Sequence, residues 1–266
     1  MKVIVVTGAS SGIGLAMTQY FCQKGHHVYG ISRTKMYEKN VRSIQADVTD
    51  YKQLKQAYED IYEVEGKIDV LINNAGMGIS GSVEDTSYED AAYLMNVNFM
   101  GVFNSTKAMI PLLRKSGGGK ILNMSSVAAR LGIPFQAFYS SSKAAINAFS
   151  EALNIELHPF KIQVCSIMPG DIKTGFTKNR KKNEVDSVFY KKRVDKSVSV
   201  MEEDERNGMD PEYAAKVVLK LIERKRIPLY KTIGFKYKIF VLLHKFLPAK
   251  LANNVVGMIY GFKKEK

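Results

Sequence analysis

Tyr139 and Lys143 stand four residues apart in the run Tyr139-Ser140-Ser141-Ser142-Lys143. On a helix that spacing puts both side chains on one face. A phenol, with an ordinary pKa of about 10, is a poor proton shuttle at neutral pH. A neighbouring ammonium favours the phenolate and lowers that pKa. Together the two groups can hand a proton to a carbonyl oxygen or take one from an alcohol. Alone, such a pair is an ordinary surface feature, so its company decides. Ser126 lies just past the apolar run Ile121-Leu122-Asn123. Active-site groups gather where a parallel strand ends, and a hydroxyl there can hold the reacting oxygen beside the phenol. Ser125 is the adjacent competitor.

A second constellation lies at the start of the chain. The apolar run Val3 to Val6 leads into Thr7-Gly8-Ala9-Ser10-Ser11-Gly12-Ile13-Gly14, and a helix-like segment follows. Between a strand and a helix, such glycines have a physical purpose. Gly8 permits a tight turn, Gly12 lets the backbone approach a pyrophosphate, and Gly14 allows close packing of helix on strand. The helix N-terminus then offers unpaired N–H groups and a positive dipole end to phosphates. Gly8, Ser10, Ser11, Gly12, Ile13 and Gly14 are accordingly the candidate phosphate contacts. The second apolar run ends in Ile31-Ser32-Arg33-Thr34. An acidic residue there would bind a ribose 2′-hydroxyl; Ser32 followed by Arg33 instead suits a 2′-phosphate, which a guanidinium can hold in bidentate fashion. The competing reading of Arg33 is a solvated surface arginine. Asp47 and Val48 fall where an adenine edge is read.

These groups need a frame. Short, β-branched runs at Lys2–Thr7, His27–Ser32, Val41–Ala46, Ile68–Asn73, Gly119–Asn123, Ile162–Ile167 and Ile227–Lys231 read as about seven strands buried on both faces. Helix-like segments alternate with them: Gly12–Lys24, Asp50–Val64, Tyr88–Arg114, Gln136–His158 and Pro211–Arg224. Asp210 before Pro211 is a strong helix start. The alternation predicts an α/β fold, a doubly wound parallel sheet flanked by helices, with ligands at the carboxyl ends of the strands. Residues 174–208 break the pattern; polar and weakly periodic, they read as a lid. From Phe235 to Phe262, Phe235, Ile239, Leu242 and Phe246 form an apolar stripe between Lys236, Lys238, Lys245 and Lys250. That stretch suits the wall of a pocket, a subunit contact, a peripheral contact with an anionic membrane, or a plain packing helix.

Taken together and in order, these motifs resemble the short-chain dehydrogenases/reductases. The resemblance runs from Val3 to about Tyr230. It is carried by the glycine turn, Asn73-Asn74-Ala75-Gly76, Val97-Asn98-Phe99-Met100-Gly101, the set Ser126, Tyr139 and Lys143, and Pro169-Gly170 with Thr174. It implies a Rossmann-type catalytic unit over 1–232, including the lid, followed by a basic amphipathic extension over 233–266. It implies that Tyr139 is the acid/base and that Ser126 orients the reacting oxygen. Lys143 would lower the tyrosine pKa and hold the nicotinamide ribose. Asn98 would kink its helix and hold a water linking the lysine to solvent. Asn74, Ala75 and Gly76 would line the cofactor cleft, and Pro169, Gly170, Ile172 and Thr174 would contact the nicotinamide. The expected cofactor is NADP(H) rather than NAD(H), and the expected assembly a homodimer or homotetramer. For individual residues plainer readings stay open: Asn73 and Asn74 as stitches between strands, Pro169-Gly170 as a turn.

Composition narrows the rest. The 266 residues are 45% hydrophobic and 24% charged, which excludes wholesale disorder. Cys22 and Cys165 make no disulfide framework, and four scattered histidines make no metal site. With no leader-like pattern at the N-terminus, the expected location is cytoplasmic. Of the net charge of +13, +12 falls after Ile172. The segments after Asn74, Ser126 and Pro169, which would wall the substrate, carry Met77, Ile79, Leu131, Ile133, Phe135, Phe138, Phe176, Phe189 and Tyr190. This points to a bulky hydrophobic secondary alcohol or ketone, a hydroxysteroid or bile acid foremost, with reduction of lipid or acyl-chain carbonyls as the alternative. The basic lid residues Lys178, Arg180, Lys181, Lys182, Lys191, Lys192 and Arg193 are either solvated and clear of the substrate or placed to draw an anionic tail. A nicotinamide-sensing or nucleic-acid-binding protein is the reading of another class, disfavoured because no nucleic-acid motif accompanies the basic third.

Overall fold

A computed structural model describes residues 1–38, 40–176, 180–183 and 188–260. Seven parallel strands form one sheet: β1 (Val3–Thr7), β2 (His27–Ser32), β3 (Arg42–Gln45), β4 (Val70–Asn73), β6 (Gly119–Met124), β7 (Ile162–Pro169) and β9 (Tyr230–Ile233), in the order β3-β2-β1-β4-β6-β7-β9. β1 and β4 are buried along their whole length, as expected of central strands covered on both faces. The chain winds outward from β1 in both directions, so the switch point falls between β1 and β4. The last strand begins three residues later than the run Ile227–Lys231 suggested. Pro228 has no N–H for the ladder, and pairing with β7 starts at Tyr230.

One face of the sheet is covered by α2 (Tyr51–Glu65), α4 (Gly101–Lys115) and α5 (Ala137–Glu156), whose Leu54, Tyr58, Met109, Leu112 and Leu153 join a single apolar cluster. The other face is covered by α1 (Gly12–Gln23) and α7 (Pro211–Glu223), which bring Met17, Phe21, Val218 and Ile222. α2 starts where Asp50 accepts the Lys52 and Gln53 N–H groups, and stops at left-handed Gly66. α7 starts as its dipeptide implied, Asp210 accepting from the Glu212 N–H beside Pro211.

The segment read as one helix, Tyr88–Arg114, is two. α3 (Tyr88–Met95) and α4 are joined by a widened turn, Asn96–Met100, in which the Gly101 N–H reaches back five residues to the Asn96 carbonyl. Tertiary contacts explain it. The Asn98 side chain, fully buried, is tied to the Met77 backbone on both its oxygen and its nitrogen, 2.8 and 3.0 Å.

The lid has more structure than its composition suggested. β8 (Lys181–Lys182) pairs in parallel with β5 (Ile79–Ser80), and α6 (Lys191–Arg206) follows. Lys178 and the side chain of Lys191 lie outside the described residues, as does Phe262. Beyond β9, Pro248 divides the extension into α8 (Phe235–Phe246) and α9 (Ala249–Ile259). Tyr237 anchors α8: its ring lies where a Gly170 Cβ would be, about 2.0 Å away, and its hydroxyl donates to the Asp171 carboxylate. Gly170 therefore cannot carry a side chain without displacing the extension.

Candidate active site

At the carboxyl ends of β1, β4, β6 and β7 lies a cleft of about 1160 Å³. The turn after β1 forms its floor at one end. Gly8 and Gly12 adopt positive φ, +65° and +54°, and a Cβ on Gly14 would sit 2.2 Å from the Gly8 carbonyl. Ser11, at the start of α1, makes no side-chain cap, which leaves the first-turn N–H groups open. Gly8, Ser10, Ser11, Gly12 and Ile13 line the cleft; Gly14 does not, and serves the packing of helix on turn. Asn74 closes this end from the side, donating to the Thr7 and Gly8 carbonyls at 3.1 Å. Asn73, by contrast, is a buried stitch from β4 to Asn123 of β6 and to Ser105 and Thr106 of α4.

Along the wall of the same cleft come Arg33, Asp47, Val48, Asn74, Ala75 and Gly76, then Pro169, Gly170, Ile172 and Thr174. Arg33 is exposed at the end of β2 and donates to the Tyr93 hydroxyl at 3.1 Å. Asp47 accepts the Thr49 N–H and hydroxyl, both at 2.9 Å. The glycine turn with open N–H groups and the long, continuous wall fit a dinucleotide. Gly8, Gly12 and the α1 N-terminus would hold its pyrophosphate.

The reacting groups meet in the middle. Ser126 and Tyr139 both line the cleft, the serine hydroxyl close enough to favour the ionised phenol, and Ser126 accepts the Ala128 N–H at 3.1 Å. The competitor, Ser125, is spent on the Lys143 carbonyl at 3.0 Å. Lys143 lies 5.6 Å from the Tyr139 ring centre and donates to the Met124 carbonyl at 2.9 Å. Burial pushes the Tyr139 phenol up to about 12, against weaker lowering by Ser126 and Arg180. Burial also brings the Lys143 ammonium down to about 8. The phenol is thus a neutral acid at physiological pH, with a cation behind it whose charge is costly to hold. Asn98 is outside the cleft lining; its amide donates to Ser142 of α5 at 3.1 Å and fixes the Met77 backbone. The candidate residues for proton transfer, oxygen orientation and dinucleotide contact therefore converge on one cleft, with Gly14 and Asn98 just behind its surface.

The substrate end differs from the reading of the sequence. Met77, Leu131, Ile133 and Phe176 line it, whereas Ile79, Phe135, Phe138, Phe189 and Tyr190 do not. Ile79 is buried in β5, and Phe189 is 82% exposed. Their place is taken by α8 and α9, with Phe240, Leu243, Leu247, Val256 and Ile259. Of the basic lid residues with described side chains, Arg180 alone lines the cleft, and there it meets a carboxylate. Lys181 pairs with Asp90, Lys182 with Glu202, and buried Arg180 with Glu205. The wall beside Tyr139 carries Asp171, Asp204 and Glu205 together with Arg180 and Lys236. Burial and the Asp171 carboxylate hold Asp204 above the usual carboxylate range.

A family model described as short chain dehydrogenase matches residues 2–185. The chain is 40% identical over 267 residues to a 3-ketodihydrosphingosine reductase of Bacteroides thetaiotaomicron, covering 98% of this chain and 99% of that protein. It is 34% identical to a probable short-chain type dehydrogenase/reductase of Helicobacter pylori, with 96% of each covered. Among solved structures, a short-chain dehydrogenase from Streptomyces avermitilis superposes with a TM-score of 0.81 at 28% identity, covering 97% and 96% of the two chains. A Burkholderia phymatum relative in complex with NAD gives 0.81 at 25%, with 95% of each chain covered. A Burkholderia cenocepacia relative in complex with NADP gives 0.76 at 25%, with 98% of each covered.

Proposed function

The chain belongs to the short-chain dehydrogenase family and is an NAD(P)-dependent oxidoreductase; from that premise we propose that it reduces the ketone of a long-chain amino ketone, of the 3-ketodihydrosphingosine kind, using NADPH. The observation that carries this reading is the make-up of the cleft beyond Tyr139. An apolar wall from α8 and α9 suits an alkyl chain, and the Asp204 carboxylate, beside Asp171, suits an ammonium next to the reacting carbonyl, Glu205 being paired with Arg180. Burial and then the Asp171 carboxylate raise Asp204, and a cation between the two would relieve the repulsive part. The similarity to the Bacteroides reductase also extends through α8 and α9, well past residue 185 where the family model ends. The same features weigh against the hydroxysteroid expectation, which accounts for neither the acidic wall nor this likeness.

A bound reduced nicotinamide would supply the hydride that the carbonyl carbon takes up. In our reading Tyr139 delivers the proton to the carbonyl oxygen, so that ketone, hydride and proton give a secondary alcohol and the oxidised cofactor. Ser126 holds that oxygen within reach of the phenol. Lys143 supplies the positive charge that steadies the phenolate left behind, and Asn98 keeps the Met77 backbone and α5 in register around it. Asn74, Ala75 and Gly76 on one side and Pro169, Gly170, Ile172 and Thr174 on the other would flank the nicotinamide half.

The preference for NADPH rests on Ser32 and exposed Arg33 at the end of β2. Charge-assisted hydrogen bonds contribute about 1.5–3 kcal/mol, so Arg33→Ala should raise the KM for NADPH roughly 10- to 100-fold and leave that for NADH unchanged. Equal effects on both cofactors would mean that Arg33 does not read the 2′-phosphate.

The reading is tested by following oxidation of the reduced cofactor with three ketones: 3-ketodihydrosphingosine, the same chain without its amino group, and a ketosteroid. The amino ketone should turn over with the highest kcat/KM. Faster turnover of the ketosteroid would replace this function with a hydroxysteroid one.

A further inference from the structure

The apolar stripe of the C-terminal extension does not pack inward. Phe235, Ile239, Leu242 and Phe246 recur along α8, and all four are exposed, Phe235 by 77% and Phe246 by 75%. Only Tyr237 of this helix is buried. At 1.5 Å per residue the stripe runs about 16 Å. On a soluble surface, scattered apolar residues need no explanation, but a continuous row marks a contact.

Two further features say what the contact is with. First, the row is set in positive charge. Lys236, Lys238, Lys245 and Lys250 are all exposed, and no Asp or Glu occurs between Phe235 and Tyr260. A second copy of this chain docked face to face would set these lysines against their own copies, whereas an anionic surface would neutralise them. Second, the row is continuous with the mouth of the cleft. Phe240, Leu243 and Ile259 both line the cleft and are exposed at its rim. None of the described helices is long and apolar enough to cross a bilayer, so the geometry is that of a helix pair lying on one.

We propose that α8 and α9 dock on an anionic lipid bilayer, the stripe entering the headgroup region and the lysines contacting acidic headgroups, so that the cleft opens toward the lipid phase. This goes beyond the proposed reaction and does not require it, because docking can be read without substrate.

The test is co-sedimentation with vesicles of phosphatidylcholine, with and without phosphatidylglycerol. The wild-type chain should bind the anionic vesicles at low salt and come off at about 1 M salt, where the Debye length is roughly 3 Å. Two variants separate the contributions: Leu242→Ser with Phe246→Ser, and Lys238→Glu with Lys245→Glu. All four residues lie outside the cleft lining. Each pair should lower binding to anionic vesicles tenfold or more with no change in thermal unfolding. Absence of binding at low salt, or equal binding to neutral and anionic vesicles, would overturn the proposal. So would a soluble dimer that the Leu242/Phe246 variant converts to a monomer while the wild type ignores vesicles; the stripe would then be a subunit contact.

Discussion

Tyr139→Phe should lower kcat by about 10³-fold, within the range that general acid catalysis supplies, and leave the dissociation constant of NADPH unchanged within a factor of two. The substitution removes one oxygen and nothing else. That oxygen lines the cleft beside Ser126, whereas the Ser125 hydroxyl is bonded to the Lys143 carbonyl and the Lys143 ammonium donates to the Met124 carbonyl. Since burial holds the phenol near 12, the wild-type enzyme keeps its acid protonated across the physiological range. Reduction should therefore show no loss on the acid side from this group. Rapid-mixing kinetics with saturating NADPH, together with cofactor fluorescence titration, measure both quantities. A loss of less than tenfold would mean that the proton comes from elsewhere.

Lys143→Met should produce two changes of opposite sign. Turnover should fall at least 100-fold, because the phenolate formed at Tyr139 loses its neighbouring cation. The cofactor-free protein should nevertheless become more stable at neutral pH. Lys143 is 5% exposed, and burial has brought its ammonium from 10.5 to about 8. A lowered cation pKa means that below pH 8 the folded state carries the charge at a cost. As pH rises from 8 to 10.5 the folded state sheds the proton first, and the cost disappears. The cost is roughly 3 kcal/mol on the scale of about 1.4 kcal/mol per unit, less about 1 kcal/mol for the Met124 carbonyl left without its donor. For a chain of this size that corresponds to a rise of about 4–8 °C in Tm. Calorimetry of both proteins from pH 6 to about 10.5 should show the gap closing with pH, the cost being gone once the free lysine also titrates. A gap of constant size would assign the difference to packing rather than to buried charge.

The parts of this site that could be read from the sequence are those whose cause is local. The glycine turn follows from what Gly8, Gly12 and Gly14 allow at a strand-to-helix junction. The pairing of Tyr139 with Lys143 follows from helical spacing, and the start of α7 from Asp210 and Pro211. Alternating strands were enough for a doubly wound sheet. What could not be read depends on where distant segments dock. The widened turn at Asn96–Met100 exists because Asn98 is bonded to Met77, twenty-one residues away. The choice between Ser126 and Ser125 is made by which hydroxyl the start of α5 consumes. The apolar residues near Tyr139 in sequence were reasonable candidates for the substrate wall, but much of that wall comes from α8 and α9, brought over the cleft by Tyr237 packing on Gly170. Whether the lid cations draw an anion or are merely solvated stays open in the sequence because their partners, Asp90, Glu202 and Glu205, lie on α3 and α6. Charge counted along a chain says nothing of such pairing.

The widened turn between α3 and α4 has a consequence for how this chain can vary in length. A helix with one five-residue reach is an ordinary helix carrying one inserted residue. Deleting a single residue within Asn96–Met100 would restore regular hydrogen bonding, so the segment itself would not suffer. It would, however, turn one half against the other by about 100°, the angle per residue of a 3.6-residue turn. α4, fixed by Asn73 through Ser105 and Thr106, and α3, which packs on α5, could not both keep their places. Single-residue length changes should therefore be rejected here, in a stretch that reads in sequence as uninterrupted helix.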